Sequence, residues 1–223
     1  YISDDMGITA ESENANVAKN ADIVILAVKP VYMEDVINEI KGEISLRKIV
    51  VTLAPGKTIE WLEKKFGKRI KLVRTMPNTP AMVSEGMTAL CPNDKITEKD
   101  LKVVRKIFDS FGKAEVISEN IMDAVVGVSG SSPAFVFIFI EAMADAAVAE
   151  GMPRAQAYKF AAQTVMGSAK LMLETGKHPG ELKDMVCSPG GTTIEGVNVL
   201  EGCAFRSAVI EAVREAADKS RRM

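Results

Sequence analysis

The sequence ADIVILAVKP, residues 21–30, decides the fold class. Its centre, IVILAV, is a nearly continuous apolar run rich in β-branched residues. Such a run is typical of a parallel strand that is buried on both faces of a sheet. Residues 32–40 follow with apolar residues at helical spacing. The stretch therefore predicts a strand followed by a helix, which is the repeating unit of an α/β fold.

The same alternation continues along the next part of the chain. Further strands are predicted at residues 48–53, 70–74, 87–91 and 114–117, with helices over 58–66 and 98–111. Thr58 and Thr97 are expected to cap these two helices. Strands that alternate with helices indicate a largely parallel, Rossmann-type sheet. The predicted fold class is α/β, and residues 1–118 are expected to form this domain.

The pattern changes near residue 118. No strand pattern recurs after it, and helices are predicted over 121–128, 133–150, 153–175 and 193–220. The helix over 133–150 is apolar nearly all round, and such a helix must be surrounded by protein. A domain with so few helices cannot surround it alone. We therefore expect residues 119–223 to form an all-helical dimerisation domain that exchanges helices within a homodimer or a higher homo-oligomer.

Composition excludes several classes of function. The net charge is −2 and no basic stripe is present, so nucleic acid and anionic membranes are poor partners. The most apolar run, residues 134–140, is much shorter than the roughly 20 residues of a membrane-spanning helix. The only histidine, His178, precedes a Pro-Gly turn and is interpreted as structural, and no metal site is predicted. Three scattered cysteines fit the reducing cytoplasm.

A glycine-rich loop lies within the predicted helical domain. Residues 178–206 have the sequence HPGELKDMVCSPGGTTIEGVNVLEGCAFR. The segment SPGG cannot continue a helix, and Thr192 and Thr193 open the next one. Unpaired backbone N–H groups and the positive end of the helix dipole can bind an anion at such a start. The alternative is a glycine-rich helix cap without a ligand.

This stretch resembles the C-terminal signature of the pyrroline-5-carboxylate reductase family. The resemblance extends to GVSGSSPA at residues 127–134, AVKP at 27–30 and MPNTP at 76–80, and so covers essentially the whole chain. It implies an enzyme that transfers a hydride from NADPH, or alternatively NADH, to the cyclic imine 1-pyrroline-5-carboxylate and so makes L-proline. In one departure, Ser132 stands where the family usually has glycine; serine is a good helix N-cap.

Loops that follow the predicted strands form the candidate cofactor site. An α/β sheet binds ligands outside the carboxyl ends of its strands, and three loops are expected to line one crevice there. The alternative for any single loop is an ordinary turn. The resemblance implies that the dinucleotide is bound by Asn14, near the adenosine ribose, by Met185, beside the nicotinamide, and by Ala27, Val28, Lys29, Pro30, Leu53, Ala54, Pro55 and Asn78.

The implied reaction needs no catalytic histidine, metal or nucleophile, because the imine nitrogen only has to carry a proton. The protein must instead orient the reactants. We expect the substrate carboxylate in the anion site and Thr193 as the catalytic hydroxyl, bonded to the ring nitrogen or the carboxylate. The alternative for Thr193 is a plain N-cap. The candidate substrate residues are Val186, whose carbonyl is implied by the resemblance to accept from the ring N–H, Ser188, Gly190, Gly191, Thr192 and Thr193.

The glycine fingerprint of Rossmann domains is missing, since no G-x-G-x-x-G follows any predicted strand. In the family, a unit of about 40 residues carrying that turn precedes the position of Tyr1, and we expect the sequence to lack it. Two alternatives stay open. One is a non-catalytic dimerisation remnant of a reductase. The other is a two-domain reductase of the β-hydroxyacid dehydrogenase type, for which Lys159 and Lys170 are the internal candidates for a catalytic lysine.

Overall fold

The computed structural model of the chain describes residues 6–223. Its contacts divide the chain into a first unit, Tyr1–Gly130 with Glu215–Met223, and a second unit, Ser131–Arg214. The contacts therefore change over at residues 130 and 131, and the end of the last helix belongs to the first unit. The functional domain boundary that we expect after residue 118 stays a prediction.

The first unit is built on a five-stranded sheet in the order β1-β2-β3-β4-β5. Its first three strands pair in parallel, β4 runs antiparallel to β3, and β5 is again parallel to β4. The predicted Rossmann-type α/β class with a largely parallel sheet is thus confirmed. The strands are β1 (Ile23–Leu26), β2 (Ile49–Thr52), β3 (Lys71–Met76), β4 (Gly86–Pro92) and β5 (Gly112–Val116).

Helices cover both faces of this sheet. Thr58 caps one of them by accepting the Trp61 N–H at 3.1 Å, and Thr97 forms a reciprocal capping box with Asp100, so both predicted caps are confirmed. The helices of the first unit are α1 (Asn14–Asn20), α2 (Met33–Ile40), α3 (Ile59–Phe66), α4 (Glu98–Phe108) and α5 (Met122–Val125), which continues into a π-helical turn, Val126–Ser131.

Successive residues of the strands face two separate apolar layers. Val50 and Leu72 pack with residues of α2 and α3 on one face. Val51 and Val73 pack with Leu90 and with residues of α4 on the other. Strands β1 (IVIL) and β2 (IVVT) are near-continuous apolar runs, as is typical of parallel strands that lie between two layers, which is why their positions could be predicted.

The second unit is helical. It consists of α6 (Ser132–Ala149), α7 (Arg154–Thr175), α8 (Pro179–Val186), α9 (Thr192–Gly202) and the first part of α10 (Phe205–Arg221). The single helix expected over residues 193–220 is wrong, because Ala204 adopts a left-handed conformation with φ of 56° and separates α9 from α10. Helix α8 was not predicted. His178 caps it by accepting the Gly180 N–H at 3.1 Å, which is a structural role.

Helix α6 is the most apolar element of the second unit, yet its side chains are largely exposed on the single chain. Ala144 is its one buried residue, and Phe137 and Ile138 are each 64% exposed. Contrary to the expectation from the short run at residues 134–140, the helical stretch Glu119–Ala149 is long and apolar enough to cross a membrane, by length and composition. A helix enclosed in the interior of a protein assembly has the same composition. The apolar composition of α6 therefore does not by itself distinguish a membrane-spanning helix from a helix covered by another protein chain.

Candidate active site

The carboxyl ends of β1, β2 and β3 lie side by side at one edge of the sheet. The Leu53 N–H, just after β2, donates to the Leu26 carbonyl at 3.2 Å. On the other side, the Thr75 hydroxyl donates to the Thr52 carbonyl at 2.9 Å. The structure thus brings together the loops that follow the three strands, as the candidate cofactor site requires.

The first of these loops is extended and open. Lys29 has φ of −60° and ψ of 147°, and Pro30 then begins a short 3₁₀ turn. Ala27 and Lys29 are exposed, and Val28 and Pro30 are partly exposed. Exposed main chain beside a lysine ammonium suits a phosphorylated ligand, so these residues fit the group expected there.

The second loop is more enclosed. Ala54 is buried and its N–H donates to the Thr52 hydroxyl at 3.3 Å. Leu53 and Pro55 remain partly exposed beside it. The loop therefore offers apolar surface, rather than charge, to a ligand at this edge.

The two candidate asparagines already have partners within the protein. The Asn14 amide, on α1, donates to the Glu39 carboxylate at 2.7 Å. The Asn78 amide donates to the backbone carbonyl and hydroxyl of Ser129 at 3.2 and 3.3 Å, and its oxygen accepts the Met87 N–H at 2.8 Å. Asn14 is exposed and Asn78 is partly buried. Direct contact of either side chain with a cofactor would compete with these bonds.

A partly buried ion pair that includes Arg74 of β3 was missed in the sequence. Glu119 accepts from the Arg74 guanidinium at 2.9 Å and from the Ile59 N–H, at the start of α3, at 2.8 Å. The Arg74 side chain is 6% exposed. An arginine within the buried strand KLVRTM is the signal that could have found it, since a buried charge requires a partner. The Glu119 carboxylate thereby satisfies the positive end of α3.

Cys91 lies beside this pair and is not a candidate nucleophile. Burial, and secondarily the Glu119 charge, raise the pKa of its thiol to about 11. The thiol therefore stays protonated near neutral pH, and a thiol in that state is inert. Cys91, Cys187 and Cys203 are all free, and within residues 6–223 no cluster of three or more His, Cys, Asp or Glu side chains could hold a metal ion.

The glycine-rich loop of the second unit forms a tight turn. The Gly191 N–H donates to the Ser188 carbonyl at 3.0 Å, and Gly190 has φ of 66°. A proline followed by a residue of positive φ matches a type II β-turn, so Gly190 is required for conformation. At Gly191 a Cβ atom would lie 2.3 Å from the Ser188 hydroxyl oxygen, which can rotate away, and 3.2 Å from the Ser188 carbonyl oxygen, so the turn is tight there.

Helix α9 begins directly after this turn. Its N-cap is Gly191, and no side chain caps it. The interpretation of Thr193 as a plain N-cap is therefore wrong, because Thr192 already has helical geometry and Thr193 lies one residue further inside. Thr192 is exposed and Thr193 is partly exposed. Backbone N–H groups at the first turn of this helix thus have no side-chain acceptor at the cap, which is the arrangement that favours an anion.

Met185 and Val186 are the last two residues of α8, and they are 62% and 59% exposed. The N–H of the next residue, Cys187, donates to carbonyls of the preceding helical turn. The Val186 carbonyl lies at the helix end, where carbonyls lack an intrahelical donor. It is therefore suited to accept a hydrogen bond from a ligand. The structure places Met185 in the second unit, whereas the other candidate cofactor residues lie in the first.

Lys159 and Lys170, the candidates for a catalytic lysine, both lie on α7. Both are exposed, and Lys170 pairs with Glu174 at 3.7 Å across one turn of the helix. Pairs with such exposure are solvated surface charges that contribute little. Neither lysine therefore has the environment of a catalytic base.

Comparison with known proteins agrees with these observations. A family model described as pyrroline-5-carboxylate reductase dimerisation matches residues 119–223, and a model described as NADP oxidoreductase, coenzyme F420-dependent, matches residues 1–56. Pyrroline-5-carboxylate reductase of Escherichia coli strain K12 is 56% identical over 222 residues, covering 100% of this chain and 82% of that protein.

Solved structures give the same result. A pyrroline-5-carboxylate reductase from Coxiella burnetii superposes with a TM-score of 0.93 at 34% identity, covering 99% of this chain and 82% of that one. The Plasmodium falciparum pyrroline carboxylate reductase, solved with NADP bound, gives a TM-score of 0.88 at 37% identity, covering 95% and 80%. Identity and coverage of this extent leave one assignment: the chain belongs to the pyrroline-5-carboxylate reductase family.

Proposed function

We propose that this protein is an NADPH-dependent oxidoreductase that reduces the C=N bond of 1-pyrroline-5-carboxylate and releases L-proline. The observation that carries the proposal is the 56% identity to the Escherichia coli reductase over the whole chain. The site geometry supports it independently, since one unit offers an open strand edge and the other an uncapped helix start.

The cofactor is proposed to lie along the carboxyl edge of β1 and β2. Ala27, Val28, Lys29 and Pro30 would hold it on one side, and Leu53, Ala54 and Pro55 on the other. Bound NADP(H) would supply the hydride. NADPH is proposed over NADH because the similar Plasmodium structure contains NADP. Asn14 and Met185 are proposed to contact the ribose and the nicotinamide, and for Asn14 this would mean exchanging its bond with Glu39.

The substrate carboxylate is proposed to lie at the N-terminus of α9. The helix dipole and the backbone N–H groups of its first turn favour a negative charge there. Gly190 and Gly191 lie in the tight turn before α9, and this turn would let the main chain approach the ligand, with Ser188 and Thr192 proposed beside it. A small anion held in this way is fixed in position and orientation, which is the main contribution that a hydride transfer requires from the protein.

Thr193 is proposed to hold the imine nitrogen or the carboxylate through its hydroxyl. The hydroxyl is available for this because it does not cap α9. The substrate can arrive as the iminium, so its nitrogen already carries the proton that the product retains. The Val186 carbonyl would accept from that N–H and so favour the protonated, more electrophilic form.

The protein is a homo-oligomer of the kind that its dimerisation domain indicates. We propose in addition that it forms a homodimer through α6, α7, α9 and α10, that it acts in the cytoplasm, and that its other partners are small molecules. The exposed apolar surface of α6 supports the dimer, because an apolar surface of this extent on one chain marks an interface.

The test is reductase activity of protein expressed from its complete reading frame. NADPH oxidation, followed optically, should depend on added pyrroline-5-carboxylate, and proline should form in equal amount. A parallel assay with NADH measures the cofactor preference. A folded protein that oxidises neither cofactor with this substrate would contradict the proposal and would favour the non-catalytic alternative.

A further inference from the structure

We propose that Asn78 is a positioning residue for the reductase reaction: its side-chain amide replaces a backbone donor that Pro133 cannot supply, and so fixes the π-helical turn before α6 against the loop after β3. This inference rests on the proposed function for its catalytic consequence only. The structural part concerns three hydrogen bonds of one side chain.

The first observation is that every polar atom of the Asn78 amide has a partner on a different segment. Its nitrogen donates to Ser129 in the π-helical turn, at 3.2 Å to the carbonyl and 3.3 Å to the hydroxyl. Its oxygen accepts the N–H of Met87, at the start of β4, at 2.8 Å. One side chain therefore joins the exit of β3, the entrance of β4 and the turn.

The chemistry of the partners fixes the orientation of the amide. A backbone carbonyl can only accept and a backbone N–H can only donate. The nitrogen of Asn78 must therefore face Ser129 and its oxygen must face Met87. No flipped arrangement satisfies both, so the side chain is held in a single orientation.

The second observation explains why Ser129 needs a donor from outside the helix. In a regular α-helix, its carbonyl would accept the N–H of the residue four positions on, which is Pro133. Proline has no N–H, and its ring clashes with the carbonyl four residues before it. A π-helical turn, Val126–Ser131, lies immediately before the helix that contains Pro133.

The third observation places this turn against the proposed cofactor edge. Met76, the last residue of β3, packs so closely on Gly130 that a Cβ atom there would lie 2.7 Å from the methionine methyl group. Asn78 follows two residues later. The turn thus lies at the exit of β3, which pairs with β2, and β2 in turn pairs with β1; β1 and β2 carry the proposed cofactor loops. π-Helical turns occur frequently at functional sites.

The expected role is in orientation rather than in cofactor affinity. The nitrogen and the oxygen of the amide both have partners within the protein, so a direct contact with the dinucleotide is not needed to explain this residue. A displacement of about 1 Å in a lining segment can lower the rate of a positioned reaction by about a hundredfold. Loss of the amide donor should therefore lower kcat while leaving the KM for NADPH nearly unchanged.

The test compares Asn78→Asp with Asn78→Ala in the full-length enzyme. Aspartate keeps the acceptor for Met87 and loses the donor to Ser129, whereas alanine loses both. Hydrogen exchange should accelerate at amides 126–134 in both variants, and at Met87 only in the alanine variant. We expect kcat to fall at least tenfold in both, with the KM for NADPH changed less than threefold. Asn38→Ala, which removes an exposed amide on α2, is the matched control and should change neither.

A second arm uses Pro133→Ala, which returns a backbone N–H to position 133. The double variant Asn78→Asp, Pro133→Ala should recover much of the protection and kcat that Asn78→Asp loses. A KM for NADPH raised more than tenfold at unchanged kcat would overturn the proposal in favour of direct cofactor binding. Unchanged exchange at 126–134 in Asn78→Asp would also overturn it. A wild-type enzyme without reductase activity would refute the proposed function, while the exchange data would still decide whether Asn78 fixes the turn.

Discussion

The two units of this chain treat their large apolar residues in opposite ways. In the first unit, Leu62, Leu72 and Leu90 are 0% exposed, enclosed between the sheet and its helices. In the second, Phe160 is 64% and Leu173 is 83% exposed, and the fully or nearly buried apolar residues are alanines. The first unit therefore buries its apolar core within one chain, whereas the second leaves many large apolar side chains exposed on the single chain.

This difference separates two ways in which apolar side chains can stabilise a protein: by burial within one chain and by burial between chains. Burying apolar surface contributes about 25 cal/mol per Å², and the first unit obtains this within one chain. On the single chain, many large apolar side chains of the second unit remain exposed. The dimerisation family model that matches residues 119–223 supports a second copy of the chain as the molecule that covers them. Stability of the second unit should therefore depend on protein concentration, and stability of the first should not.

The largest effect on self-association is expected from a charge placed on the exposed apolar surface of α6. Ile138→Glu should weaken self-association by a hundredfold or more, because an unpaired buried charge costs about 2–5 kcal/mol and a symmetric interface contains two copies. Analytical ultracentrifugation measures the effect. Val103→Glu is the control, since this valine is exposed on α4 of the first unit. Equal association of both variants with wild type would show that α6 lies outside the interface.

One leucine-to-alanine substitution in each unit compares how the stability of the two units depends on protein concentration. Leu90→Ala should lower the free energy of unfolding by about 2–5 kcal/mol at every protein concentration, because it leaves a cavity in a closed core. Leu173→Ala should lower the apparent stability mainly through association, so its effect should change as the protein is diluted. Denaturant unfolding at several concentrations distinguishes the two. A concentration-independent loss for Leu173→Ala would contradict the distinction.

Thr193 tests the proposed site in the second unit. Thr193→Ala removes a hydrogen bond to a charged substrate, worth roughly 1.5–3 kcal/mol, and should lower kcat/KM about 10- to 100-fold. Since Thr193 does not cap α9, folding stability should hardly change. Thr193→Ser keeps the hydroxyl and should keep most of the activity. Steady-state kinetics showing wild-type kcat/KM for Thr193→Ala would place the substrate elsewhere.

The smallest expected effect is a pH dependence in the first unit. The Lys71 ammonium, and secondarily hydrogen bonds from Thr97, lower the pKa of Asp100 from 3.8 to about 2. A lowered pKa stabilises the folded state above the unfolded value, so the contribution of Asp100 is complete above about pH 4 and is lost as the pH falls through 2. Asp100→Asn should therefore cost about 1 kcal/mol at pH 6 and almost nothing at pH 2.

Unfolding curves at the two pH values measure this difference. The matched control is Glu174→Gln in the second unit, whose pair with Lys170 is 67–70% exposed. It should show no measurable change at either pH. A loss for Asp100→Asn that persists undiminished at pH 2 would show that the carboxylate charge is not responsible.

Much of the first unit could be predicted from the sequence because its signals are local. Buried strands produce apolar runs, and Thr58 and Thr97 mark helix starts by chemistry that acts over three residues. The pair of Arg74 with Glu119 joins residues 45 positions apart. No periodicity encodes such a partner, so the arginine could be suspected from its strand but its carboxylate could not be found.

The second unit was predicted less completely. Ala204 interrupts the last helix with a left-handed conformation that alanine rarely adopts, and no glycine or proline at that position announces it. Helix α8 was not predicted because it begins with a Pro-Gly pair, which is typical of a turn. At the site, the glycine-rich turn and the helix start at Thr192 and Thr193 could be predicted from local chemistry, whereas the N-cap at Gly191 needed coordinates.

The central claim is that the second unit closes its core only with a second copy of the chain. Sedimentation equilibrium of the wild-type protein at micromolar concentration tests it most directly. We predict a dimer or a larger assembly with no folded monomer at these concentrations. A soluble, folded monomer with native helical content would contradict the claim.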